Sequence, residues 1–122
     1  MKPDRKVLAA AARAAQDAAR LVHVERRLEL GRQLAALRDV TSNNKRFGSL
    51  VRKRFDLHDT MFAGEMQRLA RLYGDRPDIT KKVRNWRVLV AVSSPSLQVP
   101  VRRQFETKIL AGENATAKSI AA

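Results

Sequence analysis

The sequence predicts an all-α fold: a compact bundle of about five or six helices that contains a helix-turn-helix and follows a long alanine-rich helix. Apolar residues recur every three or four positions along most of the 122 residues. Polar, glycine and proline residues divide these periodic stretches from one another. The β-branched run Val88 to Val92 is a candidate strand, but no other stretch offers a comparable partner strand. Helix is therefore the preferred interpretation of that run too.

Residues 1–40 are expected to form a helical arm that ends near Arg38. Pro3 and Asp4 suit the start of a helix. Its first half carries an apolar stripe of Val7, Ala11, Ala14, Ala18 and Leu21, and its second half one of Val24, Leu28, Gly31, Leu34 and Ala35, with Leu30 and Leu37 beside it. Gly31 leaves open whether this is one helix or two. The small residues could pack on the chain's own core or form a dimerisation arm, because they permit close approach in either case.

Residues 41–122 are expected to form a DNA-binding core with C-terminal helices. Between Lys45 and Tyr73 two helical stripes flank a short interruption at residues 56–58; the stripes are Phe47, Leu50, Val51 and Phe55, then Phe62, Met66, Leu69, Ala70 and Tyr73. A buried Leu57 in that turn would let the two helices cross steeply. The pattern predicts a helix-turn-helix, whose second helix enters the DNA major groove.

The charge pattern indicates a polyanionic partner. Lys and Arg number 25 against 12 Asp and Glu, a net charge of +13 that is spread along the whole chain. The expected phosphate contacts are Lys45, Arg46, Arg52, Lys53, Arg54, Lys81, Lys82, Arg84, Arg102 and Arg103. The expected base-reading residues lie on the outer face of the second helix, and they are His58, Thr60, Met61, Gly64, Arg68 and Arg71. The alternative is that Arg68 and Arg71 only solvate an amphipathic helix.

The C-terminal third is expected to contain three further helices. One begins after Asp78 or Thr80, and it places Ile79, Val83, Trp86 and Val90 on one face. Trp86 either stacks on a base or belongs to the core. The next helix opens at Pro100, buries Val101, Phe105 and Ile109, and stops at Gly112. Arg102 and Arg103 gain nothing from the dipole at its start, which favours a role toward a partner. Asn114 is the expected cap of a last helix over 115–121, left exposed or frayed by the chain's end.

Several functional classes find little support. The two histidines have no partner at helical spacing, and no glycine-rich phosphate loop is present, so neither an enzyme nor a cofactor or metal site is predicted. Without cysteine there is no disulfide or thiolate metal site. No run reaches the ~20 apolar residues of a membrane span, and the N-terminus lacks a signal-peptide core. We expect a cytoplasmic, nucleoid-associated protein.

Two stretches resemble known DNA-binding families. FGSLVRKRFDL and the helix after it resemble the helix-turn-helix of a family of bacterial and phage proteins of unassigned function. PVRRQFETKILAGENATAKSIA resembles the segment that follows the helix-turn-helix in ParB-type partition proteins. Nothing matches the arginine-rich nucleotide-binding box of ParB proteins, so the resemblance implies no CTP switch.

The sequence therefore favours a sequence-specific double-stranded DNA-binding protein, a bacterial or phage transcriptional regulator acting as a homodimer. The transcription machinery is a further candidate partner. One alternative is an RNA-binding module, although stacking aromatics are scarce. Another is a structural or assembly protein that works through its N-terminal helix.

Overall fold

The computed structural model describes residues 4–113 and 116–121. In those ranges the chain forms seven helices and no strand, which confirms the all-α prediction. The helices are α1 (Arg5–Asp39), α2 (Asn44–Phe55), α3 (Thr60–Tyr73), α4 (Pro77–Thr80), α5 (Trp86–Val92), α6 (Val99–Leu110) and α7 (Ala117–Ala121). Val88 to Val92 lie in α5, so the helical interpretation of that run is confirmed. The predicted roles of Pro3 and Asn114 fall outside the described residues.

Helix α1 is one continuous helix. The Asp4 side chain caps it by accepting a hydrogen bond from the Lys6 backbone N–H at 3.3 Å. The whole stripe predicted for its second half, from Val24 to Ala35, is buried. Residues 4–19, by contrast, are all exposed. The alanine stripe therefore does not pack on the core of its own chain, and that alternative was wrong.

Helices α1 and α3 make the most extensive contact between two helices in the fold. They meet at Gly31, where an added Cβ would lie 2.1 Å from the Met66 carbonyl oxygen and 2.7 Å from the Ala70 Cβ. Glycine is thus required by the closeness of the two backbones and does not break the helix. Met66, Leu69 and Tyr73 of α3 are buried beneath this crossing, as their stripe predicted.

The helix predicted to begin after Asp78 is interrupted, which corrects the sequence interpretation. Residues 81–85 separate the single turn of α4 from α5. Asn85 has extended backbone angles, and its side chain accepts a hydrogen bond from the Val88 N–H at 3.2 Å, so it starts a new helix. Val88, Leu89 and Val92 of this new helix lie in the core, while Trp86 and Val90 are half-buried.

The C-terminal helices close the core. Pro100 lies in the first turn of α6, and Gly112 has φ of 77°, so both predicted ends of that helix are confirmed. Ile109 is buried, whereas Val101 and Phe105 are half-buried. Helix α7 packs on α5 and its Ile120 is 5% exposed, so the expectation of an exposed last helix was wrong. Among the described helices, none is long and apolar enough to cross a membrane.

Candidate nucleic-acid interface

Helix α2 lies on the surface with one side toward the core. The Asn43 side chain caps its start by accepting a hydrogen bond from the Arg46 N–H at 2.9 Å. Arg38 of α1 places its guanidinium 4.9 Å from the centre of the Phe47 ring and donates a hydrogen bond to Asn44. Val51 is buried, and the rest of the predicted apolar stripe is half-buried against the core. These contacts fix which side of α2 faces solvent.

The solvent side of α2 is strongly basic. Five cations and no acid occur within its twelve residues: Lys45, Arg46, Arg52, Lys53 and Arg54. All five are exposed. None of their side chains takes part in a hydrogen bond or ion pair among the described residues. The last three lie at the negative end of the helix dipole, which stabilises them there. Lys45, Arg46 and Lys53 line one shallow cleft on this helix, which we call the basic face of α2, and they are free to bind an anion.

A four-residue turn connects α2 to α3. Asp56 has φ of 54°, a left-handed conformation that ends α2 abruptly. Leu57 is half-buried and packs against the core, so its predicted anchoring role is supported while its full burial is not. The Asp59 carboxylate accepts hydrogen bonds from the Met61 and Phe62 N–H groups at 3.0 and 3.1 Å. The start of α3 is therefore held firmly beside the end of α2.

Three of the six predicted base-reading residues cluster at this junction. His58, Thr60 and Met61 are exposed, Met61 to 73%. Gly64, one turn further on, is half-buried, and it lines a cleft of about 270 Å³ between α2 and α3. Arg71 is exposed at the other end of α3, where it is paired with Asp39 at 2.9 Å. The first turn of α3 is thus exposed, whereas Gly64 lines a cleft and Arg71 is paired with Asp39.

Arg68 is not on an open face, which corrects its predicted orientation. It lies half-buried in a second cleft, together with Val90, Leu97 and Ile120. Its Nε is buried without a hydrogen-bond partner among the described residues. Helices α5 and α7 cover this side of α3, and the periodicity of α3 alone cannot reveal that cover. This position does not support a base-reading role for Arg68.

The remaining phosphate candidates divide into two groups. Lys81, Arg84 and Arg103 are exposed. Lys82 donates a hydrogen bond to the Leu110 carbonyl at 3.1 Å, close to the end of α6. Arg102 donates to the carbonyls of Val92 and Ser94 at 2.9 and 3.3 Å, so it caps the C-terminal end of α5. The inference that Arg102 is placed for a partner was wrong, because its partner is the chain's own backbone.

A further group of side chains, three arginines and a histidine, surrounds Trp86. The residues are Arg20, His23 and Arg27 of α1 and Arg87 of α5. Trp86 is half-buried, so it belongs to the edge of the core and also to this surface. The signal was available in the sequence, since positions 20, 23 and 27 fall on one face of a helix. What the sequence did not show is that α5 approaches the same face.

In the described ranges, no group of three or more His, Asp or Glu side chains is arranged to hold a metal ion. The basic face of α2 and the first turn of α3 are therefore the principal candidate site. Comparison of the chain with protein-family models, curated proteins and solved structures gives no match, and the family resemblances noted above stay predictions.

Proposed function

We propose that this protein binds double-stranded DNA through the basic face of α2 and the first turn of α3, and that it acts as a sequence-specific regulator of bacterial or phage transcription. One observation carries the proposal: five exposed cations on α2, which have no partner among the described residues, lie beside an exposed helix start, across a turn of four residues. Helix-turn-helix recognition has two parts: cations that meet phosphates, and beside them a helix start that can enter a groove.

The two parts have different tasks. Lys45, Arg46 and Lys53 contact phosphates, and they supply affinity without sequence preference. Thr60 and Met61 occupy the first turn of α3, the part of a recognition helix that meets base edges. The Thr60 hydroxyl hydrogen-bonds a base or a phosphate, and the Met61 side chain makes apolar contact with a thymine methyl group. Arg68 has no part in this assignment.

The turn also contains two carboxylates, which must be reconciled with a polyanionic partner. Asp59 is engaged in capping α3. Asp56 lies 3.2 Å from a ring nitrogen of His58, and its side chain is 95% exposed. Carboxylates at this position disfavour phosphate and accept hydrogen bonds from the cytosine amine. Asp56 therefore belongs to the base-reading part of the interface and opposes non-specific binding.

The exposed arm of α1 supports homodimer formation. Residues 5–19 extend about 22 Å as a helix, and Val7 and Leu8 on it are 59% and 54% exposed. Pairing of two arms would bring two α3 helices to a two-fold related DNA site. The same arm supports the second candidate function, a structural or assembly protein. Light scattering of the full chain and of a Val7→Asp, Ala11→Asp variant separates these roles: a variant that becomes monomeric and loses duplex affinity supports the regulator.

Binding to duplex DNA, duplex RNA and single-stranded RNA is the direct test. We expect the full chain to prefer duplex DNA, with affinity that falls steeply with salt. Selection from a pool of random duplexes then gives the preferred site. Thr60→Ala and Met61→Ala should each weaken binding to that site by about 1 kcal/mol while leaving random duplexes unaffected. Lys53→Ala is the matched control and should weaken both alike. Preference for either RNA would contradict the proposal.

A further inference from the structure

We propose that the pocket around Trp86 is a phosphate-binding site, formed by Arg20, His23, Arg27 and Arg87. The pocket has a volume of about 410 Å³, and Asn85 completes its lining. None of the described residues that line it is a carboxylate. An anion entering this pocket therefore meets guanidinium, imidazole, amide and indole groups.

Arg27 is already oriented for this task. Its guanidinium carbon lies 4.7 Å from the centre of the Trp86 ring and 5.3 Å from the centre of the Phe62 ring. A guanidinium held against aromatic rings in this way keeps N–H donors that can bind a ligand. None of the ion pairs in the described part of the chain involves Arg27. The rings thus hold the fork in place and leave its donors for a ligand.

Arg20 and Arg87 supply charge on either side of Arg27. Arg20 donates a hydrogen bond to the Val83 carbonyl at 3.1 Å and lies 3.8 Å from Asp17. Its buried Nε has no acceptor among the described residues, so one donor there is unused. Arg87 is exposed, with its guanidinium carbon 5.6 Å from the centre of the Trp86 ring. Because each guanidinium can donate two parallel hydrogen bonds, three arginines around one pocket suit a phosphate better than a monovalent halide.

The position of the pocket connects it to the proposed DNA interface. Phe62 lies in the first turn of α3 and meets Trp86 edge-on, with ring centres 6.3 Å apart. Thr60 and Gly64 line the cleft toward α2, on the opposite flank of α3. If α3 enters a groove, the basic face of α2 meets one phosphate strand and the Trp86 pocket meets the other. If the bound phosphate is a phosphodiester of duplex DNA, the inference rests on the proposed function. If it belongs to a free phosphorylated small molecule, the inference is independent of that function.

Trp86 is the only tryptophan of the chain, so its fluorescence reports on this pocket alone. Sodium pyrophosphate and a short duplex are titrated separately into the full chain, with sodium chloride of equal ionic strength as the blank. We expect both to change the Trp86 emission. Arg87→Ala should weaken each by about fivefold and lower the salt slope of duplex binding by about one unit. His23→Ala, a second exposed substitution, should act in the same direction. Arg13→Ala removes an equal charge from the exposed arm and should change neither.

The outcomes separate the two proposals. Arg87-dependent responses to both probes support a phosphodiester in the pocket. A response to pyrophosphate alone supports the pocket as a site for a free phosphorylated molecule, and it counts against DNA binding. Duplex binding that depends on α2 but is unchanged in Arg87→Ala and His23→Ala, together with no pyrophosphate response, overturns the pocket while leaving the proposed function in place.

Discussion

The crossing of α1 with α3 and the surface helix α2 use similar residues for opposite purposes. At the crossing, glycine lets two backbones approach closely. Arginine there forms hydrogen bonds within the fold, since Arg32 donates to the Gly74 carbonyl at 2.8 Å. On α2, Gly48 has only the flexible end of Arg52 near it, at 3.8 Å from an added Cβ. Its cations have no described partner. The position of a residue in the fold, and not its type, decides whether it serves stability or binding.

The glycines give the sharpest test of this contrast and the largest expected effect. Gly31→Ala forces a methyl group against the Met66 carbonyl, so we expect it to destabilise the fold by about 3 kcal/mol or more. Gly48→Ala is the matched control. In the open interior of α2 it should stabilise the fold by about 0.5–1 kcal/mol. Denaturant unfolding of both variants measures the difference, and similar stabilities would show that the crossing is looser than described.

Arg102 and Arg103 of α6 allow the same comparison, between an arginine that is hydrogen-bonded within the fold and one that is exposed. Arg102→Ala leaves two carbonyls at the end of α5 without their donor, and it should destabilise the fold by about 1.5–3 kcal/mol. Arg103 is exposed, so its replacement should change stability by no more than about 0.5 kcal/mol. Thermal unfolding of the two alanine variants measures both losses of stability. Equal losses would mean that the capping hydrogen bonds of Arg102 contribute nothing.

Tyr73 offers a smaller and pH-dependent effect. Its hydroxyl donates a hydrogen bond to Glu106 Oε2 at 2.9 Å, which joins α3 to α6. Burial, together with the Glu106 carboxylate, raises the pKa of Tyr73 well above its ordinary value of 10.0. A raised pKa means that the fold favours the neutral phenol. Its contribution is therefore complete below pH 10 and declines as the pH rises above it.

Tyr73→Phe should cost about 1 kcal/mol at neutral pH and reduce the loss of stability above pH 10. Tyr73 is the only tyrosine, so its ionisation can be followed directly by ultraviolet absorbance. Titration at the ordinary pKa in the folded protein would contradict the buried hydrogen bond.

Predictions from the sequence were most accurate where the residues of a single helix determine its ends and its buried face. The second stripe of α1, the stripe of α3 and both ends of α6 follow from periodicity, proline and glycine. The break before α5 was missed because Ile79, Val83 and Trp86 keep helical spacing across it, although Asn85 is a typical N-cap residue. Arg68 and Arg102 could not be assigned, because their surroundings come from helices distant in sequence. The Trp86 pocket was missed for the same reason.

The central claim is that the basic face of α2 binds phosphates without stabilising the fold. Its most direct test is the salt dependence of duplex affinity for a variant with Lys45, Arg46 and Lys53 all replaced by Gln. We expect the salt slope to fall by about three units, with stability within roughly 0.5 kcal/mol of the unmodified chain. A control with Arg5, Lys6 and Arg13 replaced by Gln on the arm should keep the full slope. An unchanged slope in the α2 variant would contradict the claim.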